Sequence, residues 1–230
     1  MSININKAAE DMKYLIDRGY NRETSLNLVV NHYHLNKDER NYLQRYVFSD
    51  DEIRCHKSKL IPLKEIDRKK IVIDGYNVLI TVGAIINKKR CSVLVEGMDG
   101  ILRDSSGIFS NYKFNSESKR AVNEILNLLS GYKPEFVLFI FDSQISKSGE
   151  LSSYVKKRMN DLNIHGDSKT SKNADKTIID LNWITATSDS IIIKNVDKVV
   201  DLANSIFINI NKGQKKRPML KSPKYSTPTS

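Results

Sequence analysis

Four aspartates stand where the chain passes from one segment to the next: Asp74 in IVIDGYN, Asp142 in VLFIFDS, Asp175 in SKNADKTII and Asp189 in ITATSDS. Asp74 and Asp142 each close an apolar run with the character of a buried strand. Asp175 opens a helix-like segment. Asp189 lies between a helix-like segment and the strand-like IIIKNV. Acids at the carboxyl ends of parallel strands gather along one edge of a sheet, where open α/β folds bind their ligands. Hard divalent cations such as Mg2+ or Mn2+ want oxygen donors, and take one or two carboxylates, several waters and a substrate phosphate. Such cations can activate water and stabilise the alkoxide leaving a phosphodiester. Asp74, Asp142, Asp175 and Asp189 therefore read as the catalytic and metal-binding set of a nuclease, against the plainer reading of four caps or turn residues.

Neighbouring residues can support that chemistry. Asn77 follows Asp74 by three positions and can orient it or a metal-bound water; GYN also reads as a simple turn. Gly75 permits close backbone approach. Ser143 and Ser188 sit beside acids as hydrogen-bond donors or as helix caps. Asp99 and Asp104, in MDGILRDSSG, either supplement the acids or cap turns. Asp167 is a weaker candidate near Asp175. Lys169, Lys172 and Lys176 surround Asp175 and suit an RNA backbone, or else a solvated loop. His32, His34 and His165 lack metal-like spacing with a cysteine. Trp183 and the tyrosines of the N-terminal region read as core.

The elements that must position these residues fall into two patterns. Residues 1–50 read as a helical accessory unit of three helices. Ala8, Met12, Leu15 and Ile16 recur at helical spacing, and Gly19 is a stop. Asn21 and Asn36 are the next N-cap candidates. Residues 51–69, charged and containing Pro62, read as a linker. From 70 to 211 strands and helices alternate: IVI and EFVLFIFD as strands, SVLVEGMDGILRD as a strand and turn, then three helices in SESKRAVNEILNLLSGY, GELSSYVKKRMNDLNI and ADKTIIDLNWI. TATSDSIIIKNV reads as a strand, VDKVVDLANSIF as a last helix, and FINI as an edge strand. This alternation predicts an α/β domain with a mostly parallel sheet and helices on both faces, preceded by a small all-α domain. Residues 212–230, rich in Lys, Pro and Ser, read as a disordered basic tail.

Composition narrows the function classes. With 230 residues and 40% hydrophobic content, the chain supports a folded core plus a small accessory unit. A net charge of +10 suits a polyanionic partner such as nucleic acid, or only a solvated lysine-rich surface. Cys55 and Cys91 form no CxxC, so no zinc ribbon or disulfide framework is expected. The N-terminus lacks the uninterrupted apolar core of a signal peptide, and no segment is long enough to span a bilayer. A cytoplasmic protein without membrane association is expected; its oligomeric state is not encoded in any recognisable pattern.

The ordered set VIDGYN, FIFDS, NADKTII and ATSDS resembles PIN-like nucleases, most closely the NYN branch that includes YacP-type ribonucleases. The resemblance covers roughly residues 71–210. It implies a PIN-like (Rossmann-like) fold and a metal-dependent endoribonuclease with Asp74, Asp142, Asp175 and Asp189 in the acidic pocket. The whole chain is similar to a largely archaeal family that joins a helical domain to a PIN-like domain. One departure stands out: Lys176 follows Asp175 where that branch often has a second acid. The resemblance implies RNA as partner, structured or ribosome-associated. The alternative is a catalytically degenerate module on the same fold that binds RNA or another protein.

Overall fold

A computed structural model describes residues 3–87 and 92–211. The expected basic tail at 212–230 and Cys91 lie outside the described residues. Four helices come first: α1 (Ile3–Asp17), α2 (Arg22–His32), α3 (Lys37–Tyr46) and α4 (Asp50–Lys59). Gly19, at φ +82°, follows α1 as expected, in a backbone region that other residues enter at a cost. Asn21 caps α2 by accepting from the Thr24 amide, and Asn36 caps α3 in a reciprocal capping box with Glu39.

Helix α4 corrects the expectation of a linker over 51–69. Ser49 and Glu52 form a second capping box; Asp50, Asp51 and Glu52 occupy its first turn, and His56, Lys57 and Lys59 its last. That charge order complements the helix dipole. A 3-10 turn at Leu63–Ile66 then leads into the sheet.

The sheet is formed by β1 (Lys70–Asp74), β4 (Phe136–Asp142), β5 (Gly166–Ser171), β6 (Ile184–Ala186) and β7 (Val199–Val200). It is parallel throughout, in the order β5-β4-β1-β6-β7. The chain winds outward from β1 through β4 to β5, then crosses to β6 and β7 on the other side. The carboxyl ends of β1 and β6 thus flank a topological switch point, where such folds open a ligand crevice. A separate hairpin pairs β2 (Leu94–Glu96) with β3 (Leu102–Asp104).

The central strands are apolar on both faces, as a covered parallel sheet requires. Ile71, Ile73, Val137, Phe139 and Phe141 face one core, with α5 (Gly75–Ile86), α6 (Ser116–Ser130), α7 (Ser148–Asp161) and α10 (Leu202–Asn211). Val72, Leu138 and Ile140 face the other, under α8 (Ala174–Leu181) and α9 (Ser190–Asn195). The α/β class with helices on both faces and an all-α region in front is as the pattern predicts.

Three assignments differ. GDSKTS is the edge strand β5, polar because only Ser168 on it is buried. IIIKN is helix α9 rather than strand, because Asp189 caps it and Ile192 and Ile193 bury against the second core. The last strand is Val199–Val200, and FINI belongs to α10.

The helical region is welded to the sheet region. Val95 of the hairpin packs in the core of α1–α3. Leu60 bridges to Val199, and Lys59 donates to the carbonyls of Ile193 and Lys194. Between them lies a buried cluster: Asp99 takes two bonds from Arg103, at 2.7 and 2.6 Å, and one from His56 Nδ1 at 2.7 Å. Arg103 and Arg22 cover the Phe48 ring at 4.5 and 4.6 Å. Asp99 is therefore a structural anchor that also caps its own turn at Ile101, not a supplement to the acidic set. Among the described residues no helix is long and apolar enough to cross a membrane.

Candidate functional site

Asp74 ends β1 and Gly75 begins α5 without an intervening loop. A Cβ at Gly75 would lie 2.3 Å from Phe141 Cε1 and 2.8 Å from the Ile140 carbonyl oxygen. Only glycine lets this helix start so close to β4, so the close approach is the role of Gly75. Asp142 ends β4 on the neighbouring strand, two residues beyond the Asp74–Ile140 pairing. Its Oδ1 accepts from the Gln144 amide at 2.8 Å. Asp175 lies in the first turn of α8, and Asp189 caps α9 just after β6.

All four carboxylates line one open cleft of about 720 Å³ at the carboxyl edge of the sheet. Asn77, Lys172 and Lys176 line it too, together with Arg45 of α3, Tyr76 and Phe109. A smaller cavity adjoins it, lined by Asn77, Arg45, Phe109, Ser188 and Asp104.

Asp74 is buried and receives the Thr187 hydroxyl on Oδ2 at 2.8 Å. Burial, against this hydrogen bond, pushes its carboxyl from the ordinary 3.8 up to about 7, with repulsion from Asp189 and Asp175 adding to the rise. Asp175 is raised as well, by burial first and then by Asp189 and Asp142. The acids thus sense one another across the cleft.

The Asn77 backbone amide bonds the Asp74 carboxylate, and its side chain makes a second link. Its side-chain oxygen accepts from both the backbone amide and the hydroxyl of Ser188, at 2.8 and 2.9 Å. It ties α5 to the loop before Asp189. The Ser188 carbonyl in turn accepts from Arg103 Nε at 3.0 Å, which links this loop to the buried Asp99 cluster. Ser188 is therefore a loop anchor rather than a helix cap.

Other expected residues stand apart from the cleft. Ser143 is exposed, and its amide bonds the Ser171 carbonyl. Lys169 is exposed on edge strand β5. Asp104 lines only the small cavity and accepts from the Ser106 amide. Asp167 pairs with Lys156 at 2.8 Å, which holds its carboxyl below the usual range. Thr187, Arg103, Arg45 and Phe109 escaped the sequence reading; of these only Thr187, in the T-S-D junction, carried a local signal.

The donors are all hard oxygens, and the cleft carries more carboxylate than its lysines bond. Among the described residues, though, no three of His, Cys, Asp and Glu stand close enough to hold a metal ion as a group. These residues fit a hydrated Mg2+ or Mn2+ that takes one or two carboxylates directly and the rest through water. They do not fit a dehydrated four-carboxylate cage.

Comparison with known proteins places the chain without assigning a role. Residues 63–205 match the family described as Domain of unknown function (DUF5616), and residues 4–59 match Protein of unknown function (DUF434). An uncharacterized protein of Methanocaldococcus jannaschii, MJ0935, is 42% identical over 202 residues, covering 87% of this chain and 95% of that protein. No solved structure matches. With more than half of its length matched, the chain belongs to the DUF5616 family.

Proposed function

We propose that this protein is a divalent-metal-dependent endoribonuclease of PIN-like type that acts on RNA in the cytoplasm. The observation that carries this reading is the meeting of four carboxylates, from four separate junctions, in one cleft that also holds Lys172 and Lys176. Asp74 and Asp142 come from adjacent central strands, and Asp175 and Asp189 from the starts of two helices.

The chain's own residues divide the work. Asp74, titrating at about 7, is able to take up and release a proton near neutral pH, which suits a general base. Thr187 and the loop pinned by Asn77 hold Asp74 and Asp189 in register. Asp142 and Asp189 each give one oxygen to a backbone amide, which fixes the carboxylate's direction. Lys172 and Lys176 supply positive charge for phosphate oxygens. A Mg2+ or Mn2+ ion held by one or two of the other carboxylates, Asp142, Asp175 and Asp189, would supply Lewis-acid stabilisation of the charge that builds on the phosphate and leaving oxygen.

The test is cleavage of a panel of RNAs with Mn2+ by wild type and Asp74→Asn. Loss of at least about a hundredfold in rate is expected, the size of a general-base contribution. Equal cleavage by both proteins would remove the reading. A second reading rests on Lys176, which lines the cleft where an acid was expected. On that reading the cleft binds RNA without cutting it, and metal-independent binding with no product from any substrate distinguishes it.

A further inference from the structure

Arg45 belongs to the last turn of α3, in the helical region, yet it lines the same cleft as the four aspartates. It also lines the small adjoining cavity, so the two spaces meet at this residue. The ion-paired arginines among the described residues are Arg22, Arg40, Arg54, Arg68, Arg103 and Arg158. Arg45 is not among them, although four carboxylates face the cleft it borders. The backbone on either side of it is tied down: the Met98 amide donates to the Tyr46 carbonyl at 2.9 Å. Arg22 Nη2 donates to the carbonyls of Gln44 and Val47, at 2.9 and 2.6 Å. Arg45, a half-buried residue, thus stands on a fixed turn with no hydrogen-bond or ion-pair partner for its guanidinium among the described residues.

A guanidinium carries five donors in a planar fork that matches two oxygens of a phosphate. Phe109, 43% exposed, lines both spaces beside it. An exposed ring that lines the same two spaces as an uncommitted guanidinium suits a nucleotide, with the base on the ring and the phosphate on the fork. We propose that Arg45 binds a substrate phosphate opposite the aspartates, so that the helical region completes the site rather than merely accompanying it. This assignment rests on the RNA-cleaving reading above. The competing role for Arg45 is to offset the carboxylates' charge across solvent, with no contact to substrate.

Anisotropy of a fluorescein-labelled oligoribonucleotide separates the two. Binding is measured in Mn2+ with Asp74→Asn protein, whose cleavage is impaired on the reading above, and again with Arg45→Gln or Arg45→Lys added. Arg45→Gln keeps the stem and breaks no bond of the fold, and urea unfolding checks that it folds like the parent. Arg45→Gln is expected to weaken binding about tenfold or more, the worth of a charge-assisted contact. The slope of log affinity against log salt should fall by about 0.7, one single-strand phosphate contact. Arg45→Lys should restore the slope and only part of the affinity. Equal binding with and without Arg45→Gln overturns the assignment, as does weakening with an unchanged slope. If the parent fails to bind even at low salt, the ribonuclease reading itself falls; if it binds and Arg45→Gln binds equally, only Arg45 loses its role.

Discussion

The Thr187 hydroxyl donates to Asp74 Oδ2 at 2.8 Å and also accepts from the Asp189 amide at 3.1 Å. One side chain therefore joins the acid at the end of β1 to the acid that caps α9, across the switch point of the sheet. The bond stabilises the charged form of a carboxyl that burial drives the other way. Asp74 is held between protonation states, and its titration has consequences that can be measured without knowing the substrate.

Wild type should lose stability relative to Asp74→Asn as pH rises. Asp74 has a folded pKa of about 7 against an ordinary 3.8, so the folded state holds its proton more tightly than the unfolded chain. Its contribution is fully present below about pH 4 and is lost as pH rises through 7. At pH 8 Asp74→Asn should be the more stable protein by on the order of 2–4 kcal/mol, and at pH 4 the two should converge. Asp201, raised by burial to about 6, gives both proteins a parallel loss, so the difference between them is the quantity to follow. Urea unfolding at a series of pH values reads it. Identical pH dependence in the two proteins would refute a buried, raised Asp74. If a cation belongs in the cleft, Mn2+ at pH 8 should raise the melting temperature of wild type more than that of Asp74→Asn.

Thr187→Val should shift the titration of Asp74 to still higher pH. The substitution keeps the branched shape and removes the donor to the carboxylate, so the charged form loses support. Hydrogen bonds to charged groups are worth about 1.5–3 kcal/mol, which sets an expected shift of about one to two units. The acid limb of the cleavage–pH profile should move upward by that amount, and Thr187→Ser should leave it near wild type. Coincident profiles for wild type and Thr187→Val would show that the bond does not govern Asp74.

The central part of this architecture was legible because covered parallel strands are nearly continuous in apolar residues. IVI and EFVLFIF therefore delivered Asp74 and Asp142 to one sheet edge. Edge strand β5 was not legible, since GDSKTS buries little and so carries no alternation. IIIKN misled because three β-branched residues favour a strand, whereas the Asp189 cap and burial of Ile192 and Ile193 made a helix. The S-x-x-E pattern of Ser49 and Glu52 is a local signal for α4 that the linker reading passed over. Arg45 had no local signal: its place in the cleft comes from the packing of α1–α3 around Val95 of the hairpin.

That packing should weaken when Asp99 is removed. Burial alone would raise the Asp99 carboxyl, but bonds from His56 and Arg103 hold it well below the usual carboxylate range. The carboxylate, the guanidinium and the imidazole are almost wholly buried. Asp99→Ala would leave Arg103 charged and unpaired against Phe48, and breaking one side of a buried pair costs about 3–5 kcal/mol. The loss should reach the cleft, because Arg103 also holds the Ser188 carbonyl and Ser188 holds Asn77. Urea unfolding should still give one transition, since helices and sheet share this cluster, with its midpoint lowered. A destabilisation under about 1 kcal/mol, or a separate early transition of the helical region in wild type, would show that the cluster does not couple the two.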